Sequence, residues 1–362
     1  MAESATTDAF FSSRPSLKLE GQANSGIEVS LLSLSVHENT DGLFRCEATL
    51  GNWGSADSNG ERFIYFDRSE LDFGKTLNID MGDGDAAAEI FNGRITAIEG
   101  RFPQQKPAEI LILAEDRLQD LRMLRRSRSF DNVTVSDVIE TIANEHELST
   151  DLDINGPTYT VLTQVNQSDL AFIRECARDI DAEIWIDGNI LHAQSRSRRQ
   201  TETLSLSYGH RLLEFSVCAD LAHQRSKVRV SGWDVAAKES IIHSSDEMAI
   251  QGELEDQSSG GQLLTEIFGQ RVDQLVHQVP HTNDEARNMA EASYRRTARR
   301  FLTGHGLSEG DGRIRAGTHI VLNDLGPLFS GKYYVSEVTH NYDSRNGFRS
   351  SFRVERPGLG RS

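Results

Sequence analysis

The order of apolar and polar positions divides the chain into stretches of different period. From Ser16 to Ala114 the period is mostly two. Leu17 and Leu19 flank Lys18, Ile27, Val29 and Leu31 alternate with polar neighbours, and a phase slip then moves the apolar set to Leu32, Leu34 and Val36. Alternation of this kind predicts an antiparallel sheet with one covered face, and the slip predicts a bulge or corner that bends it toward a barrel. Further strands are predicted at Leu43–Leu50, Gly74–Met81, Glu89–Glu99 and Ala108–Ala114, with a polar loop over Asn52–Glu61. After Thr134 the period becomes helical. Val135, Val138, Ile139, Ile142 and His146 share one face behind a Thr134/Asp137 capping pair, and a second helix starts at Ser168 with Leu170, Ile173, Cys176, Ala177 and Ile180 on one side. Glu183–Asp187 and Ile190–Ala193, separated by Gly188-Asn189, form a hairpin pattern. Strands return at Leu204–Leu206 and Val228–Gly232. Helices follow at Gln262–Gly269 and Asn283–Leu302, the second behind a Thr282/Glu285 capping box, and strands resume from Gly317, with Phe348, Ser350, Phe352 and Val354 on one face.

The two β-rich stretches resemble each other. Gly74-Lys-Thr-Leu-Asn-Ile followed by Phe91-Asn-Gly-Arg can be laid beside Gly317-Thr-His-Ile-Val-Leu followed by Phe329-Ser-Gly-Lys. In each, a strand led by glycine precedes a turn and then a long strand, which predicts an internal repeat of a barrel-sized unit. The fold expected is mainly β: two similar barrel-like tube domains, an α/β unit between them and helices inserted in the second. The expected divisions are a flexible N-terminus over 1–13, a first barrel over 14–125, an α/β domain over 126–200, a second barrel over 201–356 with its insertion at about 257–303, and a tail over 357–362.

Composition narrows the function classes. The 362 residues exceed one compact core, and 38 basic against 55 acidic residues leave a formal charge of −17, which repels phosphate backbones and argues against nucleic acid. Cys46, Cys176 and Cys218 have neither zinc spacing nor an even-numbered disulfide pattern, and are read as buried thiols of a reducing cytosol. The N-terminal residues lack a basic stretch leading into an apolar run, and no run reaches the ~18 apolar residues of a membrane span. Folding in the cytoplasm without membrane insertion is therefore expected, with later release as part of a particle left open.

No motif assembles an active site, a metal centre or a cofactor site. Met81-Gly-Asp-Gly-Asp and Glu309-Gly-Asp-Gly lack the calcium-loop spacing and read as turns, and Pro280 breaks the helix that would align His277 with His281. Nucleophile-elbow, P-loop and dinucleotide fingerprints are missing as well. Arginines concentrate at Arg122–Arg128, Arg196–Arg199 and Arg295–Arg300 without interleaved aromatics, and are read as solvated faces or ion pairs between subunits.

Several stretches, taken in order, resemble the late-control D family of phage baseplates and the hub portion of VgrG-type spike proteins in type VI secretion. They are Arg14-Pro-Ser-Leu-Lys-Leu, Phe91-Asn-Gly-Arg-Ile-Thr-Ala-Ile-Glu, Phe130-Asp-Asn-Val-Thr-Val-Ser-Asp-Val-Ile, Gln164-Val-Asn-Gln-Ser-Asp-Leu-Ala-Phe-Ile-Arg, Val228-Arg-Val-Ser-Gly-Trp and Gly331-Lys-Tyr-Tyr-Val-Ser-Glu-Val-Thr-His-Asn-Tyr. The resemblance spans residues 14 to 356 and implies a non-enzymatic structural hub of a phage baseplate or contractile injection system. It implies a homotrimeric adaptor between a sixfold inner tube protein and a threefold spike, in contact with other baseplate proteins. Because the chain stops at Arg356-Pro-Gly-Leu-Gly-Arg-Ser, the spike is expected to be a separate protein. The family supplies no catalytic residues. Arg295, Arg299 and Arg356 are the expected assembly contacts. The alternative is a cell-wall glycan-processing or glycan-binding protein of the same kind of particle, for which Trp53, Trp185 and Trp233 are the available aromatic platforms.

Overall fold

The computed structural model describes residues 14–54, 63–82, 88–199, 203–235, 237–276 and 279–360. The N-terminus over 1–13, the Asp83-Gly-Asp85 turn and His277 lie outside the described residues.

The first β-rich stretch contains β1 (Ser16–Leu19), β2 (Gln22–Ala23), α1 (Ser25–Ser30), β3 (Leu31–Asn39), β4 (Arg45–Gly51), β5 (Thr76–Met81), β6 (Ala88–Arg101), β7 (Glu109–Glu115) and the short helix α2 (Leu118–Arg122). The phase slip falls at the first residues of β3, where the register with β4 shifts between Leu31 and Ser33 as the expected bulge, but the alternation before it belongs to α1 and not to a strand. The Asn24 side chain accepts a hydrogen bond from the Ile27 amide and caps α1, which buries Ile27 and leaves Val29 74% exposed.

The α/β unit comprises β8 (Arg125–Val133), α3 (Val135–Glu145), β9 (Ser149–Asp153), β10 (Tyr159–Ser168), α4 (Asp169–Asp179), β11 (Ala182–Asp187) and β12 (Ile190–Ser195). β10 pairs with β8, and β12 lies between β11 and β9. The capping box of Thr134 and Asp137 is present, and Ser168 caps α4 through the Ala171 amide. The apolar faces of α3 and α4 bury Ile139, Ile142, Leu170 and Ile173 against Ile184 and Leu191, and Leu118 and Leu121 of α2 join the same core.

The remaining chain forms β13 (Leu204–Ser207), β14 (Leu212–Ala219), β15 (Lys227–Asp234), β16 (Glu239–Ser245), α5 (Gln251–Leu254), β17 (Ser258–Ser259), α6 (Gly260–Phe268), β18 (Val272–Leu275), α7 (Asn283–Arg299), β19 (Leu302–Glu309), β20 (His319–Asn323), α8 (Gly326–Phe329), β21 (Gly331–Asp343), β22 (Gly347–Arg356) and β23 (Gly358–Leu359). The insertion begins earlier than the helical stretch at 257–303. β15, β16 and β18 make a separate three-stranded sheet between β14 and β19, and α7 covers it by packing Ala286 and Ala290 on Val230 and Ile241. Alternation at Val228–Gly232 identifies a strand but does not say which sheet it joins.

One 13-stranded sheet holds both β-rich halves. Its strands follow the order β3-β4-β7-β6-β5-β1 in the first half and β14-β19-β22-β21-β20-β13 in the second. The two orders are the same, so β3 corresponds to β14, β4 to β19, β5 to β20, β6 to β21 and β7 to β22. The register repeats as well. Leu31 opposes Leu50 as Leu212 opposes Ser308, with a shift in the next pair of each, and Glu115 opposes Arg94 as Glu355 opposes Tyr334. The long strand has its bulge at Thr96 in one half and at Ser336 in the other. Gly74 and Gly317 have φ of 79° and 87°, and their amides donate to Ile95 O and Val335 O respectively, both at 2.8 Å. Ile95 therefore matches Val335, which shifts the Phe91/Phe329 superposition expected from the sequence by two residues. The halves differ at one end, where β1 runs antiparallel to β5 but β13 runs parallel to β20.

Each half wraps its own apolar core: Leu17, Leu34, Ile79, Ile95 and Ile112 in the first, Leu206, Leu212, Ile320, Val335 and Phe352 in the second. The mainly β, barrel-like reading holds. Among the described strands, neither half is closed into a ring by hydrogen bonds, and β3 instead pairs antiparallel with β21 and fuses the halves. Cys46 and Cys176 are buried, and burial pushes the Cys176 thiol up to about 12. Cys218 departs from the expectation of a buried thiol, because β14 is an outer strand of the sheet and leaves it exposed.

At the seam between the halves, His340 is fully enclosed. Its Nε2 lies 3.0 Å from Ile314 O and its Nδ1 2.9 Å from Ser350 Oγ, which already accepts the Asp311 amide. That network fits a neutral ring donating through Nε2. Burial lowers its pKa from 6.5 to about 4. An unfolded chain therefore takes up a proton below about 6.5 that the folded one refuses, and stability falls as pH drops from 6.5 toward 4, by at most ~1.4 kcal/mol per pH unit for this group. Denaturation of the His340→Gln variant should show a shallower loss across that window than the native chain. His319, lowered to about 4 by burial and by Lys332 and Arg196, leaves some slope in both proteins.

Candidate functional site

The α/β unit, the insertion and the second half meet around a cleft of about 780 Å³. Arginines build its walls. Arg199, from the segment after β12, places its guanidinium 3.8 Å from the Trp185 ring centre, pairs with Glu183 at 3.0 Å and donates to Ala316 O at 2.8 Å. Arg196 lies 3.5 Å from the Tyr334 ring centre and 2.9 Å from Glu355, while the Tyr334 hydroxyl donates to Glu183. These contacts tie β11 to β21 and β22 across the unit boundary.

Arg299 forms a second tie. Its Nη2 donates to Asp181 Oδ2 at 2.8 Å and to Glu253 Oε1 at 2.6 Å, so α7 is clamped between the α/β unit and α5. Burial opposes its charge, but the hydrogen bonds and charges of Glu253 and Asp181 prevail and hold its pKa well above the usual arginine value. Burial likewise raises the Glu253 carboxyl, and Arg299 outweighs it, leaving Glu253 below its ordinary value. Arg295 donates to Glu291 and to Ala249 O. Arg356 is sealed under the C-terminal strand, donating to the carbonyls of Gly358, Ser330 and Leu328 with Tyr333 beneath it at 4.5 Å. Arg299 and Arg356 are 4% and 3% exposed. The structure thus moves both from the expected assembly surface to the inside of the chain, because carboxylates and carbonyls of neighbouring segments take up their donors.

A smaller cleft of about 370 Å³, which shares Asp181, Arg196 and Glu355 with the larger one, adds Arg174 and Arg178 of α4 to Arg296 and Arg300. Sequence reasoning missed the α4 pair. The signal available was their spacing of one helical turn, which puts both on one face. Among the described residues, Arg174, Arg178 and Arg296 have no carboxylate at salt-bridge distance. Burial lowers the Arg174 and Arg296 pKa values, and the charge of Arg178 adds to this at both.

The chemistry of the larger cleft is that of a clamp. Of the carboxylates that line it, Asp181, Glu253 and Glu355 are each engaged by arginine. The Glu309-Gly-Asp-Gly turn is built the same way, with Asp311 buried between Arg211 at 2.7 Å and Arg313 at 2.8 Å. Among the described residues no group of three or more His, Cys, Asp or Glu side chains is placed to hold a metal ion, and no helix is long and apolar enough to cross a membrane.

Residues 14–344 match the family model of the Alg8 N-terminal domain. The chain belongs to the Alg8 N-terminal domain family. No curated protein matches its sequence. Among solved structures, this family member is similar to the 43 kDa tail protein of prophage MuSo2 from Shewanella oneidensis, with a TM-score of 0.70 and 13% identity over 95% of this chain and 98% of that one. It is similar to a tail protein from Neisseria meningitidis MC58, with a TM-score of 0.67 and 10% identity over 96% and 97%. A third is an E. coli component of the type VI secretion system that itself resembles the T4 bacteriophage tail proteins gp27 and gp5, with a TM-score of 0.59 and 13% identity over 96% and 79%. The fold is that of phage tail and type VI secretion proteins.

Proposed function

We propose that this chain is the structural hub of a contractile phage-tail-like particle, a phage baseplate or contractile injection system. In this reading it forms a homotrimer that joins a sixfold inner tube to a threefold, separate spike protein, without enzymatic activity. The observation that carries the proposal is the repeat in strand order, bulge and register within one chain. Three chains with two equivalent halves present six similar surfaces to a tube and three identical ones to a spike, as closed point symmetry requires. The divisions 14–125, 126–200 and 201–356 serve as tube half, α/β unit and tube half. Assembly takes place in the cytoplasm, before incorporation into the particle with the other baseplate proteins.

Glycan hydrolysis is the weaker reading, since Asp181, Glu253 and Glu355, which face the cleft, are each tied up in an ion pair with arginine. The test is co-expression with candidate tube and spike proteins, followed by imaging. Rings seated between tube and spike are the expected result. A chain that forms no ring and co-purifies with neither partner, or that hydrolyses cell-wall polymer in a way abolished by one carboxylate substitution, would overturn the proposal.

A further inference from the structure

The junction of β3 with β21 is a template for a contact the single chain cannot complete. Within the chain, the C-terminal part of β21 pairs with β3 from Glu337 opposite Asn39 to Asp343 opposite Ser33. The repeat gives each partner a counterpart: residues 97–101 of β6 correspond to 337–341 of β21, and β14 corresponds to β3. Among the described residues both counterparts have a free edge. From Glu214 to Ala219 β14 pairs only with β19, the bridge of Tyr208 to Leu212 lying before this stretch, and residues 97–101 pair only with β7, since β5 ends its pairing at Arg94. A single chain has one internal junction and leaves one half-junction open at each end.

Burial shows what these edges lack. At the internal junction Leu34, Val36, Val338 and Tyr342 are between 0% and 5% exposed. Their counterparts are Phe215 and Val217, only partly buried against the second core, Ile98, only partly buried against the first, and Phe102, 68% exposed. Phe102 extends an exposed aromatic group in which Phe63 and Phe66 stand 6.1 and 5.4 Å away, centre to centre. Free backbone edges flanked by exposed apolar side chains favour pairing with another strand.

We propose that β14 of one copy pairs antiparallel with residues 97–103 of the next, in the register of the internal junction. Transferring that register puts Ile98 opposite Ala219, Glu99 opposite Cys218, Gly100 opposite Val217, Arg101 opposite Ser216 and Phe102 opposite Phe215. Phe102 and Phe215 then cover each other as Tyr342 and Leu34 do inside the chain. The contact is head-to-tail, so it closes into a ring when the rotation between copies allows it. The inference rests on the proposed hub role for the number of copies, not for the strand pair.

Cys218 supplies the test. In the internal junction its counterpart, His37, brings Nδ1 within 3.1 Å of Thr339 Oγ1, so the two side chains of this pair touch. Opposed residues of antiparallel strands have Cα atoms ~4.5–5.5 Å apart, within the range a disulfide spans. The full-length Glu99→Cys variant, changed at an exposed position and with native Cys218 retained, is oxidised mildly across a concentration series. It is then read by non-reducing electrophoresis beside sedimentation of the unoxidised protein. The expected result is covalent dimers and trimers with no larger species, at least tenfold more than from Ile98→Cys, whose side chain leaves the opposite face, and none after Cys218→Ser is added. Oligomers in sedimentation without the 99–218 crosslink, equal crosslinking from position 98, or a monomer at every concentration overturns the strand pair. Crosslinked rings that bind neither tube nor spike would leave it standing and count against the hub role instead.

Discussion

Replacing Arg299 by alanine is expected to cost about 3–5 kcal/mol, the range for removing one partner of a buried ion pair. Asp181 and Glu253 would keep their charges and lose the guanidinium that spans them, within a junction the chain itself seals. The thermal midpoint should fall by on the order of 10 °C, because each kcal/mol shifts a domain of this size by ~2–4 °C. Arg299→Lys keeps the charge but has no planar fork to serve two carboxylates, so it should fall between alanine and the native chain. Arg353→Ala removes a pair with Glu337 in which the arginine is 68% exposed, and a change of no more than ~0.5 kcal/mol is expected. If Arg299→Ala melts with the native chain, the three units are held by their other contacts, the Arg196 and Arg199 ties among them, and the Arg299 clamp is incidental. Cleavage by protease between α4 and α7 should rise in parallel, since local opening at this junction exposes both helices.

The paired glycines give the second large effect. Gly74 and Gly317 share a left-handed backbone and the same amide bond, so an alanine at either carries a conformational penalty of about 1–2 kcal/mol. Their surroundings differ. A Cβ at Gly74 meets nothing within 4 Å, whereas one at Gly317 falls 1.8 Å from Arg199 Cζ. Gly317→Ala must therefore also expel the Arg199 guanidinium from Trp185, Glu183 and Ala316 O, breaking a buried ion pair as well as straining the turn. Chemical denaturation of the two variants should separate them by about 3 kcal/mol or more, with Gly317→Ala the weaker. Equal losses would mean that Arg199 can leave its place freely, and the tie between the α/β unit and the second half would then contribute little.

Each effect includes a contact between residues more than one hundred positions apart, Arg299 with Asp181 and Arg199 with Ala316, which explains why some of the chain was legible in the sequence and some was not. Thr134 with Asp137, Ser168 at the head of α4 and the turn between β11 and β12 are short-range devices, and the sequence located each of them. The repeat was visible because Gly74 and Gly317 impose the same backbone on the same kind of strand, although similarity of letters placed Phe91 on Phe329 and missed the register by two. Ile27 and Val29 misled because two residues of a short helix can imitate alternation. The strand at Val228–Gly232 was found but assigned to the wrong sheet, since period two reports a covered face and not what covers it.

The arginines show the same division. Their sequence clusters marked a concentration of charge in an acidic chain, but Arg299 and Arg356 were expected at subunit contacts and lie inside. A guanidinium goes wherever carboxylates and carbonyls compensate its desolvation, and only the fold brings Asp181, Glu253, Ser330 and Leu328 to these two side chains. By itself the sequence determined most element types, α1 excepted, the duplication and the mainly β class, because these follow from local period, capping and turn chemistry. The tertiary structure decided that the halves share one sheet through β3 and β21, that the insertion has its own sheet, and that, among the described residues, β14 and the end of β6 each keep one edge unpaired. Those outcomes depend on which edges meet across long loops, and no local pattern encodes that choice.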